Sequence, residues 1–322
     1  MVAKSKLPKS LQQAIRYFSD EQVCIDTVAA LRWPDGPSCP ACEHKEHYYL
    51  KTQKRWKCKA CGRQFSVKLG TIFEDSALSL DKWLCALWML VNCKNGVSSH
   101  EIARTLEITQ KSAWFMLQRL RLALQSGSLV KLGGDGGEVE VDETYIGGKA
   151  RNMHKRRRQR LTGVLTEDKT TVMGFLERGG KVRTVIVGDR QRETMRPVVK
   201  EHVDTGAALY SDNLAAYRGL HDEYDHQIVD HATRYVDGRV HTNGIENFWS
   251  LLKRGLNGTY IAVEPFHLFR YLDEQAFRFN TRKDADGKKL HDGERFQLAL
   301  SQVAGKRLTY QEVTGKVGET DF

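Results

Sequence analysis

Apolar residues recur at helical spacing from Leu11 to Arg32, at Ile15, Phe18, Val23, Val28 and Leu31, with a break near Ser19-Asp20 where a second short helix can be capped. The segment ends in turn chemistry, Trp33-Pro34-Asp35-Gly36-Pro37. Leu80 to Val91 predicts a further helix, with an apolar face through Trp83, Leu84, Leu87, Trp88 and Val91. Ser98 or Ser99 then caps a short helix containing Ile102, Ala103 and Leu106, and Thr109 caps a longer one through Trp114, Leu117, Leu120 and Leu124. A short helix, a tight connection and a longer basic helix form the outline of a helix-turn-helix, in which Gln110, Lys111, Gln118 and Arg119 would face DNA. A plain helical bundle has the same outline.

Beyond Gly133-Gly134-Asp135-Gly136-Gly137, which reads as a flexible hinge and the main domain boundary, the period changes from helical to alternating. Val139 and Val141 alternate with Glu140 and Asp142, the pattern of a strand with one buried apolar face and one carboxylate face. Strands are also predicted at Leu161 to Leu165, Thr171 to Leu176 and Val182 to Val187, and a helix from Glu193 to His202. Ala207 to Tyr210 is a buried strand that runs into Ser211-Asp212-Asn213, with a helix expected from Leu214. Strands first, then strand and helix in alternation, describe an α/β domain with a mixed sheet. Further on, Ile245, Phe248, Trp249, Leu252 and Leu256 form the packed face of a helix whose other side carries Asn243, Glu246, Ser250 and Lys253 in a column.

The 322 residues carry a net charge of +10, an excess that fits a polyanionic partner, nucleic acid first among them. Part of it is concentrated between Arg151 and Arg160, where Arg156, Arg157 and Arg158 follow His154 and Lys155; beside a phosphodiester site such a run would track the DNA backbone. The N-terminal MVAKSKLPKS has no apolar signal-peptide core, and the longest apolar run, Trp83 to Val91, is too short to span a bilayer. A soluble, cytoplasmic protein without membrane contact is expected.

Of seven cysteines, four stand in paired spacing, Cys39-Pro-Ala-Cys42 and Cys58-Lys-Ala-Cys61. Two such knuckles set four thiolates around Zn²⁺, and Gly62 relaxes the second turn. A ribbon of this size lacks a hydrophobic core of its own, so zinc is expected to supply its folding energy. His44 and His47 lie close by as substitute ligands, although polar surface roles suit them better.

Carboxylates as close as Glu140 and Asp142 repel unless a basic partner or a metal neutralises them. Asp212 stands at the carboxyl end of its strand, where α/β sheets place active residues, but an aspartate before a helix is also a common cap.

An acid on a first strand, a second at the end of a later strand and a third on a following helix, behind a zinc ribbon and a helix-turn-helix, resemble the bacterial insertion-sequence transposases of the DDE class, specifically the ISXO-like group. The segments that carry the resemblance are CPAC and CKACGRQFS, VDETYIGGK, YSDNLAAY, and HTNGIENFWSLLKRG followed by RYLDEQAFRFNTR. It implies a multi-domain chain: an N-terminal helical segment at 1–35, the zinc ribbon at 36–66, the helix-turn-helix region at 67–132, a ribonuclease H-like α/β catalytic domain at 133–285 and a C-terminal tail at 286–322. It further implies Asp142, Asp212 and Glu246 as ligands of Mg²⁺ or Mn²⁺, and Lys253 as the basic residue that accompanies them. The activity it implies is metal-dependent cleavage at the element's ends and joining of the 3′-hydroxyl to target double-stranded DNA, by a homo-oligomer on DNA. No Walker A pattern occurs, so ATP is not implied. A DNA-binding regulator with an inactive core, and a nuclease that cleaves without joining, are the competing classes.

Overall fold

The first two helices, α1 (Leu11–Phe18) and α2 (Glu21–Arg32), meet at the expected break, where the Asp20 carboxylate accepts from the backbone N–H groups of Gln22 at 2.7 Å and Val23 at 3.4 Å. The computed structural model describes residues 8–125, 127, 130–148, 155, 169–229 and 239–315. Its chain divides into two compact units, Met1–Gln125 together with Lys288–Phe322, and Ser126–Gly287.

In the first unit β1 (His47–Leu50), β2 (Arg55–Cys58) and β3 (Gln64–Phe65) form an antiparallel sheet. The ribbon does have a small core: the Trp56 ring lies 5.2 Å from Tyr49, 5.3 Å from Trp33 and 6.0 Å from Phe65, an aromatic cluster that the reading of a coreless ribbon did not include.

Three helices follow, α3 (Leu80–Asn92), α4 (Ser99–Leu106) and α5 (Gln110–Leu124). Ser98 and Glu101 form a reciprocal capping box that starts α4, Glu107 ends it in the left-handed region at φ 51°, and Thr109 caps α5. The structure corrects two of the expected DNA-facing positions. Gln118 is 0% and Arg119 4% exposed, because α5 is packed around more of its circumference than its apolar stripe suggests. The Arg119 guanidinium lies against Trp83 and Phe115 and donates to the Glu74 carbonyl. Gln110 and Lys111, on the first turn of α5, are exposed.

In the second unit Gly133 to Gly137 are a folded turn, where a hinge was expected. Gly133 sits at φ +80°, and a Cβ there would be 2.6 Å from the Ala207 Cβ, so glycine serves close approach rather than flexibility. Five strands, β4 (Glu138–Ile146), β5 (Thr170–Glu177), β6 (Val182–Val187), β7 (Ala208–Asp212) and β8 (Asp225–Val229), make a sheet of order β6-β5-β4-β7-β8. β6, β5 and β4 pair antiparallel, and β4, β7 and β8 pair parallel. Helix α6 (Arg192–His202) leads into β7, and α7 (Asn243–Gly255) and α8 (Leu268–Asn280) follow β8. The helix expected from Leu214 is a single 3₁₀ turn at Ala215–Tyr217. The basic residues Arg156, Arg157 and Arg158, and the strand expected at Leu161 to Leu165, lie outside the described residues.

Each face of this sheet has its own core. Val139, Val141, Met173 and Phe175 pack with Met195 and Val199 of α6 on one side. Val172 and Leu176 pack with Ile245, Phe248, Trp249 and Leu252 of α7 on the other. β4 is therefore covered on both faces, and its carboxylate side lies beneath α7.

The last segment, read from sequence as a tail, belongs to the first unit. It contains α9 (Asp292–Ser301) and α10 (Tyr310–Thr314), and Phe296 of α9 lies 5.3 Å from Trp88 and 5.4 Å from Phe18. Lys306 Nζ donates to the carbonyls of Ala123 at 3.0 Å and Gln125 at 3.1 Å, closing the end of α5. Among the described residues no helix is long and apolar enough to cross a membrane.

Candidate active site

Two groups of ligand-type side chains converge among the described residues, one in each unit. In the first, the sulfur atoms of Cys39, Cys42, Cys58 and Cys61 all lie within 4.8 Å of one another. The Cys39–Cys61 and Cys42–Cys58 Sγ distances are 3.6 Å each. A tetrahedral Zn²⁺ with Zn–S bonds of about 2.3 Å separates its sulfurs by about 3.8 Å, so the four thiols fit zinc without rearrangement. Backbone N–H groups favour two of the thiolates: that of Ala41 foremost brings Cys39 down to about 7, and that of Cys61 foremost lowers Cys58, whereas Cys42, in spite of the His44 backbone N–H, is pushed up to about 12 by the neighbouring sulfurs and burial. His47 instead turns its Nδ1 to the Lys45 carbonyl at 2.8 Å, and neither His47 nor His44 joins the sulfur group.

In the second unit the carboxylates of Asp142, Glu143 and Asp212 lie within 4.8 Å of one another. The β4–β7 register pairs Glu140 with Tyr210, and continued by two residues it sets Asp142 opposite Asp212, the last residue of β7. Among the described residues β4 has no neighbour on this side beyond that point. Adjacent residues point to opposite faces of a strand, yet the carboxylates of Asp142 and Glu143 come within 4.8 Å of one another and of Asp212. The helix cap that the position of Asp212 suggested is not there: Leu214 is the N-cap of the 3₁₀ turn, and Asp212 Oδ1 accepts from the Leu214 N–H at 3.1 Å in a local turn.

The electrostatics are those of crowded acids. Burial, followed by the charges of Glu143, Asp212 and Glu246, pushes the Asp142 carboxyl up to about 7. Glu143 is raised as well, by burial and by Asp212, although Tyr217 donates to it at 3.1 Å and Arg190 approaches to 3.9 Å. Oxygen-only, mutually repelling carboxylates at a strand end are the donor set that a hard divalent cation takes.

Helix α7 covers this site. As the spacing predicted, Ile245, Phe248, Trp249, Leu252 and Leu256 are buried, and Asn243, Glu246, Ser250 and Lys253 form an exposed column. Glu246 is near enough to act on Asp142, but it is not in the three-carboxylate group; its Oε1 accepts from the Thr242 hydroxyl at 2.9 Å. Sequence reasoning held Glu143, with Glu140, only as a first alternative should the triad of Asp142, Asp212 and Glu246 fail, and treated Trp249 as packing alone. The Trp249 indole N–H donates to Asp142 Oδ2 at 3.0 Å, so one residue packs the helix and also holds the acid.

The close seat of α7 depends on Gly174, which lies opposite Asp142 on β5. A Cβ there would stand 2.5 Å from Trp249 Cζ2 and 2.7 Å from Ile245 Cδ1. Gly174→Ala is expected to push α7 off the sheet and to destabilise the fold by about 1–3 kcal/mol. Thermal unfolding measures this, and an unchanged midpoint would mean that the helix has slack.

Comparison with known proteins agrees with this geometry. A family model described as an ISXO2-like transposase domain matches residues 133–280, and one described as a transposase zinc-ribbon domain matches residues 19–64. An uncharacterized protein in transposable element ISH50 of Halobacterium salinarum is 28% identical over 257 residues, 76% of this chain and 85% of that protein. An uncharacterized transposase-like protein of Haemophilus influenzae is 34% identical over 101 residues, 31% of this chain and 81% of that protein. The chain belongs to the ISXO2-like transposase family, with a zinc ribbon ahead of a mixed α/β domain.

Proposed function

We propose that the chain is an enzyme of the DDE class that binds the ends of its insertion sequence, cleaves phosphodiester bonds there and joins the freed 3′-hydroxyl ends to target DNA. The observation that carries this reading is the meeting of Asp142, Glu143 and Asp212 where β7 ends beside β4, within a family of transposases. The strand order, three antiparallel strands and then two parallel ones, supports a ribonuclease H-like reading of the second unit.

In this reading Asp142, Asp212 and Glu246 hold Mg²⁺ or Mn²⁺, and Lys253 is the basic residue that accompanies them. Two oxygen-liganded divalent ions supply activation of an attacking oxygen and stabilisation of a leaving one. The remaining work belongs to the chain's own groups. Trp249 fixes the rotation of the Asp142 carboxylate, and Lys253, exposed on the same helix column as Glu246, holds backbone phosphate beside the acids.

Helices α4 and α5 act as the helix-turn-helix, with Gln110 and Lys111 presented to DNA from the first turn of α5. The run containing Arg156, Arg157 and Arg158 tracks phosphates, and the chain works as a homo-oligomer on DNA without ATP.

Incubation with linear DNA bearing the flanking repeats and Mg²⁺, scored separately for cleavage and for strand joining, tests the reading. Both products are expected. Cleavage without joining would make the protein a nuclease, and binding without either would make it a regulator.

A further inference from the structure

Glu140 lies two residues before Asp142 on the same face of β4, is 1% exposed, and is absent from the carboxylate group. Its Oε2 accepts from the backbone N–H of Ile245 at 2.9 Å, in the first turn of α7 and one residue before Glu246. Thr242, at the N-cap of that helix, makes no side-chain cap to the backbone; its hydroxyl goes to Glu246 instead. The helix is thus capped from outside, by a carboxylate on the strand that bears Asp142, and a buried anion at a helix N-terminus is favoured by the backbone dipoles as well as by the hydrogen bond.

Arg178, just after β5, secures the arrangement. Its Nε donates to Glu140 Oε1 at 2.9 Å, its Nη2 to the His241 carbonyl at 2.8 Å, and its Nη1 to the Arg239 carbonyl at 2.6 Å. The guanidinium lies 4.3 Å over the Tyr210 ring, whose hydroxyl donates to Glu138 at 2.7 Å. His241 Nδ1 lies 3.0 Å from Arg178 Nη2 and 3.3 Å from Glu140 Oε1, so the imidazole sits against both members of the pair. One charged residue therefore ties the strand to Arg239 and His241, in the segment ahead of α7.

We propose that Glu140 and Arg178 are positioning residues: the clamp sets the height and rotation of α7 on β4, and through them the approach of Glu246 to Asp142. This deepens the proposed function, since it rests on Glu246 acting at the site. The room for the clamp is built in at Gly244, where a Cβ would be 2.7 Å from Glu140 Oε2 and 2.5 Å from Leu176 Cδ2.

The test compares Glu140→Gln, Gly244→Ala and Glu246→Gln in the full-length, zinc-loaded protein. It reads end cleavage at saturating DNA, DNA affinity, and the Mn²⁺ concentration that gives half the maximal rate. Displacing a site group by an ångström lowers rates by about 100-fold, so Glu140→Gln and Gly244→Ala should each slow cleavage about 10–100-fold with DNA affinity unchanged. The half-saturating Mn²⁺ should rise, and excess Mn²⁺ should restore part of the rate, which a merely structural loss would not do. Wild-type rates and Mn²⁺ dependence in both clamp variants, with Glu246→Gln inactive, would overturn the proposal. Full activity of Glu246→Gln would instead remove the reading beneath it. Should Glu140→Gln not fold, Gly244→Ala, which keeps every charged group, decides alone: a slowed rate with raised Mn²⁺ demand supports the clamp, and a wild-type profile overturns it.

Discussion

Asp142→Asn is expected to abolish DNA cleavage and joining while raising the stability of the metal-free fold. The substitution removes a charge from three crowded carboxylates, and metal assistance is worth several kcal/mol, so cleavage should fall by about 10³–10⁵-fold. DNA binding should persist. Stability moves the other way because the Asp142 carboxyl, 3.8 in its ordinary state, is held up to about 7 by burial and then by Glu143 and Asp212. The folded state binds the extra proton between those values, so metal-free stability is full below the lower one and is lost as pH rises through the upper. Asp142→Asn should flatten that window and melt higher than the parent at pH 8, and the rise in melting temperature that Mn²⁺ gives the parent should disappear. Asp212→Asn should lose activity alike, and the double variant should be scarcely worse than either single, since the two act as one unit. A parent protein whose melting is indifferent to Mn²⁺ would count against the metal assignment.

Cys58→Ser is expected to empty the zinc site. A structural zinc contributes about 10–16 kcal/mol of apparent binding free energy, so three thiolates are a poor substitute for four. Elemental analysis should fall from about one zinc per chain to near none. The near-ultraviolet circular dichroism of the Trp56 cluster should change with it, because Cys58 follows Trp56 by two residues on β2. Full zinc occupancy in the variant would show that the four sulfurs are not the site.

Much of this was legible in the sequence because the signals are local. Paired cysteine knuckles, a capped helix at Asp20 and the apolar stripe of α7 each depend on spacing along one segment, and spacing is what a sequence displays. Glu140 and Asp142 were legible as acids in need of neutralisation, but not as acids neutralised differently, since Arg178 is brought to one of them only by the sheet. Arg119 misled for a related reason: a charged residue on a helix is normally solvated, and only the approach of Trp83 and Phe115 buries it. β8 gave little warning, as its residues are mostly half-buried or exposed and Asp225 to Val229 carries no clean alternation. The same limit applied to the glycines, whose run at 133–137 has the composition of a hinge and the packing of a tight turn.

The return of residues 288–322 to the first unit orders events during synthesis. A ribosome makes α1 to α5 first and α9 and α10 last, with the whole second unit between them. Until Phe296 emerges, Trp88 and Phe18 lack the ring that lies against both. The second unit, residues 126–287, is therefore synthesised whole before the first unit has its last helices. A message cut short near residue 287 would leave the first unit without Phe296, and with it the ring that closes over Trp88 and Phe18.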